Sequence, residues 1–177
     1  MSVPRPPALE GARSPRRGDA ARIAWWSGRS FAYGVLAGRG PVERLTSALL
    51  VLGWLVMCPI VVPLQAVLVA RGAARYYVSQ AGDAVLAVSA GRDGWCLEDH
   101  VSARPGTGQG RALRAVVLPQ LLAAADAAGI EIHTTAATTT LARLYASEIP
   151  GLVDEGRGWP RGRRLRRLPA ALGAVPG

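Results

Sequence analysis

The chain contains no lysine: all 21 basic residues are arginine, set against 12 acidic residues for a formal net charge of +9. Together with abundant Ala, Gly and Pro this is what a strongly GC-biased genome produces, so the charge alone does not argue for a nucleic-acid partner. Cysteine is nearly absent, and Cys58 and Cys96 are too few to build a disulfide framework. Histidine is as scarce. His100 and His133 stand at no ligand spacing from a cysteine, which predicts no metal, and His133 reads as structural. The start of the chain lacks the early apolar run of a secretory signal. Residues 1–22 are rich in Pro, Arg, Gly and Ala without apolar periodicity, and this composition predicts a disordered stretch.

Apolar sequence, by contrast, is plentiful. Half of the 177 residues are hydrophobic and the mean hydropathy is +0.19, enough for one domain with a core plus appendages. A hydrophobic helical segment is expected over 23–75. Trp25 and Trp26 beside basic residues suit either a membrane interface or packing on a neighbouring helix. Pro41 followed by Glu43 marks a helix start. From Leu45 to Ala70 no residue is charged, a run long enough to span a bilayer, although Pro59 and Pro63 argue for a kink or break. The alternatives are a transmembrane or re-entrant segment and two buried helices joined near Pro59. Arginines on both flanks leave no asymmetry from which to read orientation.

Beyond Arg75 the pattern changes. Tyr76 to Val78, Ala84 to Val88 and Trp95 to Ser102 read as strands of an antiparallel meander, separated by turns at 80–83 and 91–94. A turn carrying Gly106, Gly108 and Gly110 follows, then a long Ala/Leu/Val helix stopping at Gly129. Ile130 to Thr134 reads as a strand, Leu141 to Glu148 as a helix, and 153–155 and 163–168 as two closing strands. A strand that feeds a glycine-rich turn opening a helix is a ready anion site, because the first helical N–H groups lack internal partners and the dipole is positive there. A Walker-type loop is excluded, since Arg111 stands where its second glycine belongs; a Rossmann fingerprint fails because its third glycine would fall at Arg111 or Leu113.

Gly106-Thr107-Gly108-Gln109-Gly110-Arg111-Ala112-Leu113, with Ala142-Arg143-Leu144-Tyr145 downstream, resembles the GNAT N-acetyltransferase superfamily. Gly108 and Gly110 match the two family glycines. Pro105 stands where the family has Arg or Gln, with Arg104 one residue early. The match covers Tyr76 to Leu168 and implies an α+β fold with a mixed, largely antiparallel central sheet and flanking helices, preceded by the hydrophobic segment. The implied organisation is a GNAT-like acyl-CoA-binding domain at 76–168 and a flexible tail at 169–177.

The resemblance further implies acetyl-CoA as co-substrate and an amine as acceptor. Its diphosphate would rest on the amides of Gly106, Thr107, Gln109, Gly110 and Arg111 around Gly108, with the backbone of Val101 and Ser102 facing the pantetheine. Glu98 is the expected base and His100 the second choice. Strand alternation puts these two on one face and Asp99 on the other. Tyr145 matches the tyrosine that protonates the leaving thiolate; Thr138 and Thr140 fall where many members have an Asn contacting the cofactor. The arginines of 157–167 read either as a patch for nucleic acid or anionic lipid or, in better accord with the resemblance, as solvated residues of a closing strand. Two other functions stay open, a non-catalytic binding module on the same fold and a small membrane protein with a basic tail. An acyl-CoA site implies the cytoplasm, free or at the inner face of the cell membrane through 45–70.

Overall fold

The computed structural model describes residues 3–16, 18–26, 74–158 and 162–170, with isolated helical positions between 41 and 67. A seven-stranded sheet organises them in the order β1-β2-β3-β4-β5-β7-β6. Its strands are β1 (Ala12–Arg13), β2 (Ala74–Ser79), β3 (Ala84–Ala90), β4 (Trp95–Ser102), β5 (Ile132–Ala136), β6 (Leu152–Arg157) and β7 (Arg163–Arg167). Only β4 and β5 pair in parallel; the other neighbours are antiparallel. The parallel step requires a crossover, which is the helix α2 (Gln109–Ala128) lying between them in sequence. A helical stretch α1 covers 19–26, and α3 is Thr139–Glu148.

Alternation divides the strands between two cores. On one face Tyr77, Leu86, Val88, Trp95, Leu97, Ile132 and Leu165 pack against Leu113, Val117 and Leu121 of α2 and Ala142 of α3. On the other, Tyr76, Val78, Val85, Ala87 and Val101 meet Ile23 and Trp26. Trp26 therefore packs on the sheet, while Trp25 is exposed. α2 stops where Gly129 takes a left-handed conformation (φ 64°) and its N–H returns to the carbonyls of Ala125 and Asp126.

Several expectations need correction. The stretch foreseen as disordered at 1–22 is a strap on the core wherever it is described: Trp95 Nε1 donates to the Pro4 carbonyl and Tyr77 Oη to that of Pro7, each at 2.7 Å. Proline lacks an N–H but keeps its acceptor, so a proline-rich segment can still dock through its carbonyls. β5 lies two residues later than the hydrophobic pattern suggested, because Ile130 completes the cap of α2 by donating its N–H to Ala125. The arginines of β7 are not simply solvated. Arg167 is buried, its two terminal nitrogens each 2.7 Å from a carboxylate oxygen of Asp126; Arg166 pairs with Glu131 and Arg163 with Asp154. The tail expected to be flexible begins with a buried Pro169, and Ala170 N–H donates to Asp126; 171–177 lie outside the described residues.

Most of 45–70, including Cys58, Pro59 and Pro63, also lies outside the described residues. Within it Leu45, Leu49, Leu52, Leu55 and Val56 are helical and exposed. No helix among the described residues is long and apolar enough to cross a membrane.

Candidate active site

β4 and β5 are in register only from Trp95–Ile132 to Leu97–Thr134, and beyond that they part. From Glu98 onward the β5-facing edge of β4 therefore has no strand beside it, and a cavity of about 320 Å³ occupies the gap. Leu97, Leu118, Leu141 and Ile149 give it an apolar wall; Glu98, His100, Arg114, Thr134 and Tyr145 supply the polar groups.

Past the end of β4 the glycine turn opens α2 as the sequence led one to expect, and Thr107, Gly108 and Gln109 line a second cavity together with Gly11, Ser79 and Asp83. The helix begins at Gln109 behind Gly108, whose φ of 83° suits a residue without a Cβ, and it has neither a side-chain cap nor an acidic residue in its first turn. Gln109 instead folds back to accept from Arg104 N–H at 2.9 Å, and Thr107 Oγ1 donates to the Arg104 carbonyl at 2.8 Å. These contacts brace the turn and leave the helix end clear for an anion. A Cβ built on Gly106 or Gly108 would meet nothing within 4 Å, so there is room above both. One proposed donor drops out, since Thr107 N–H is turned inward to the Arg104 carbonyl at 3.3 Å. Arg111 is exposed, with Nε 3.5 Å from Glu148. Gly110 serves another purpose: a Cβ there would stand 2.8 Å from His100 Nε2, so this glycine makes space for the imidazole.

The candidate acid and base residues are arranged differently from simple alternation. Between the pairs Ala87–Glu98 and Val85–Val101, β4 spends three residue steps where β3 spends two. This bulge inverts the parity of the strand. Glu98 consequently shares a face with Ala87 and accepts from Ser89 Oγ at 2.6 Å, while His100 points to the α2 side. The expectation that both lie on one face is overturned, although both line the gap. Val101 is buried against α1's side of the sheet, and it and Ser102 carry the last backbone groups of β4.

His100 sits in a cluster that sequence reading missed. Arg114 is buried on α2, and Glu148 at the end of α3 accepts from its Nε at 2.5 Å and its Nη2 at 3.1 Å. Its Nη1 lies 2.7 Å from Nδ1 and 2.5 Å from Nε2 of the imidazole. Burial, followed by the adjacent Arg114 cation, pushes the His100 pKa down to about 4, so the ring is neutral near pH 7 and is a poor proton acceptor. Tyr145 Oη lies 3.4 Å from His100 Nδ1, and the Arg114 guanidinium carbon is 5.5 Å from the tyrosine ring centre. Burial raises the Tyr145 pKa, so its phenol keeps its proton. A signal for Arg114 was present: it falls on the stripe that continues as Leu118 and Leu122, and a charge on an apolar stripe needs a buried partner. Thr138, expected near the cofactor, instead caps α3, accepting from Leu141 N–H at 3.2 Å.

The sequence matches no family model and no curated protein. Solved structures do match. A PaiA N-acetyltransferase from Thermoplasma acidophilum in complex with coenzyme A superposes with a TM-score of 0.60 at 9% identity, over 92% of this chain and 99% of that one. An acetyltransferase from Thermus thermophilus gives 0.54 at 17% identity, over 95% and 99% respectively. The chain shares the fold of these two acetyltransferases. The likeness is not confined to 76–168 but takes in nearly the whole chain.

Proposed function

We propose that the protein is an acetyl-CoA-dependent N-acetyltransferase acting on an amine. One observation carries the reading: two parallel strands separate to leave a slot, and the strand left with a free edge runs on into a glycine turn and an uncapped helix N-terminus. The coenzyme A diphosphate fits the amides of Gly106, Gln109, Gly110 and Arg111 around Gly108, and the pantetheine fits the free edge of β4 at Val101 and Ser102. The neighbour that holds coenzyme A supports this choice of co-substrate.

The thioester supplies the acyl group. Glu98, at the mouth of the slot and already held by Ser89, takes the proton of the attacking amine directly or through one water. Tyr145, protonated and lining the same slot, is the acid for the departing sulfur. His100, neutral and engaged by Arg114, is set aside as a base. We place the reaction in the cytoplasm, where coenzyme A thioesters are held. The exposed apolar positions between Leu45 and Val56 support contact with the inner membrane face, which partition between membrane and soluble fractions tests.

Isothermal titration with acetyl-CoA tests the site. Micromolar binding is expected, with loss of at least about tenfold in Gly108→Glu, which puts a negative charge into the cradle. Absence of binding by the native protein would overturn the reading. Binding without turnover across a panel of amines would instead favour a non-catalytic module. With turnover established, Glu98→Gln and Tyr145→Phe should each lower kcat by about 10²-fold; if neither does, the residue roles are wrong.

A further inference from the structure

We propose that Arg164 determines acceptor specificity: on the α1 side of the sheet it holds an anionic group of the acceptor, so that the amine presented to Glu98 belongs to a molecule that also carries a carboxylate or phosphate. The proposal rests on the acetyltransferase reading above and adds to it the chemical class of the acceptor.

The strand pairings lay a row of side chains across this side of the sheet. Leu97 and Thr134 are partners, and Leu97 belongs to the core under α2, so the next residues along, Glu98 and Thr135, turn to the α1 side. Thr135 is in turn the partner of Arg164 on β7, whose neighbour Leu165 lies in the α2 core. Glu98, Thr135 and Arg164 are all exposed, and the first two line the slot. Adjacent strands stand about 4.8 Å apart, so the Cα atoms of Glu98 and Arg164, two strands from each other, are separated by roughly 10 Å.

Arg164 differs from the other arginines of β7. Arg163 pairs with Asp154, Arg166 with Glu131 and Glu155, and Arg167 with Asp126, whereas among the described residues no carboxylate is paired with Arg164. Its partner on β6 is Gly156, where a Cβ would meet nothing within 4 Å, so that flank is open. On the other flank stands Thr135, and beyond it the slot. Glu98 accepts from Ser89 Oγ and, among the described residues, has no cation beside it either. A carboxylate and a guanidinium on one row that do not neutralise each other favour a bound molecule of the opposite order, amine toward Glu98 and anion toward Arg164. The guanidinium meets a carboxylate or phosphate with two parallel N–H donors, and the Thr135 hydroxyl can add another. Once the reach of the two side chains is taken from their backbone separation, the amine and the anion of the acceptor should stand about four to six bonds apart.

Initial rates with acetyl-CoA test this on amines that differ only in the anion: 4-aminobutanoate against butylamine, and phosphoethanolamine against ethanolamine. At least one anionic member is expected to exceed its counterpart about tenfold or more in kcat/KM, and the better of the two distinguishes carboxylate from phosphate. Arg164→Gln, a change at an exposed position, should raise KM for that acceptor about tenfold with kcat near native, and should leave the affinity for acetyl-CoA within about twofold. Arg164→Glu should turn the preference toward 1,4-diaminobutane over butylamine, which a merely structural arginine would not do. Titration of 4-aminobutanoate and phosphoethanolamine into the coenzyme A complex gives a reading without turnover: at least one should bind the native protein and be lost in Arg164→Gln. If native protein that binds acetyl-CoA shows no preference for either anionic amine in rate or in binding, or keeps that preference in Arg164→Gln, the proposal is overturned. If the native protein does not bind acetyl-CoA at all, the parent reading has failed instead.

Discussion

Gly110 lacks a side chain because His100 stands where a Cβ would be, 2.8 Å from Nε2 and 3.0 Å from Cε1. Gly110→Ala must therefore push the ring off Arg114 and should cost about 1–3 kcal/mol in urea unfolding. The same change in a His100→Ala background should cost well under half of that, and equal costs in both backgrounds would refute the contact. His100 also makes stability depend on pH. The unfolded chain takes up a proton near pH 6.5 that the folded ring refuses until about pH 4. The contribution is thus fully present above 6.5 and is lost as pH falls toward 4, by up to about 3 kcal/mol. His100→Gln should remove this part of the pH dependence, so that the native-minus-variant difference in stability shrinks from pH 7 to pH 4.5, as thermal melts at the two values would show. Residue types were legible at this scale: Glu98, His100 and Tyr145 all line the slot. Their relations were not, because the environment of His100 is set by Arg114 and Glu148, distant from it in sequence and joined only by folding.

Among the elements, the sequence revealed what local chemistry dictates. The three meander strands, the glycine turn, α2 with its stop at Gly129, and the closing hairpin follow from periodicity and turn residues, each of which acts over a few positions. The bulge in β4 escaped this reading since it depends on how 98–101 pair with β3, and with it went the facing of His100. Burial of Arg167 escaped for a similar reason. An alternating Arg-Leu-Arg run looks solvated until α2 brings Asp126 against the strand with two hydrogen bonds to Arg167 and one from Ala170. Asp126→Ala leaves that guanidinium buried without its carboxylate and should lower stability by about 2–4 kcal/mol in urea unfolding. Replacing both residues, with Arg167→Met, should cost less than the single change, since no unpaired charge then remains inside.

At the scale of the whole molecule, the strap formed by residues 3–13 shows where composition misleads. Pro, Arg and Gly promise a chain that cannot bury enough apolar surface to order itself. The strap orders because it borrows a core that β2, β4 and α2 have already built. Val3, Leu9 and Ala12 pack against that core, Pro4 and Pro7 accept from Trp95 and Tyr77, and Gln120 both accepts from Glu10 N–H and donates to its carbonyl at 2.9 Å. None of these partners is near in sequence, so no window along the chain could have shown them. Removing residues 2–13 would expose the buried rings of Tyr77 and Trp95 and strip β2 of its outer neighbour. Three small apolar contacts and a handful of hydrogen bonds together amount to about 3–6 kcal/mol, a large part of what holds a domain of this size folded. The truncated protein is therefore expected to unfold at a clearly lower urea concentration, with Trp95 emission shifted to the red even before the transition. Because Gly11 of the strap lines one cavity with Thr107, Gly108 and Gln109, the fraction that remains folded should also bind acetyl-CoA more weakly than the native protein. An unchanged unfolding midpoint would show that the strap rests on the core without stabilising it.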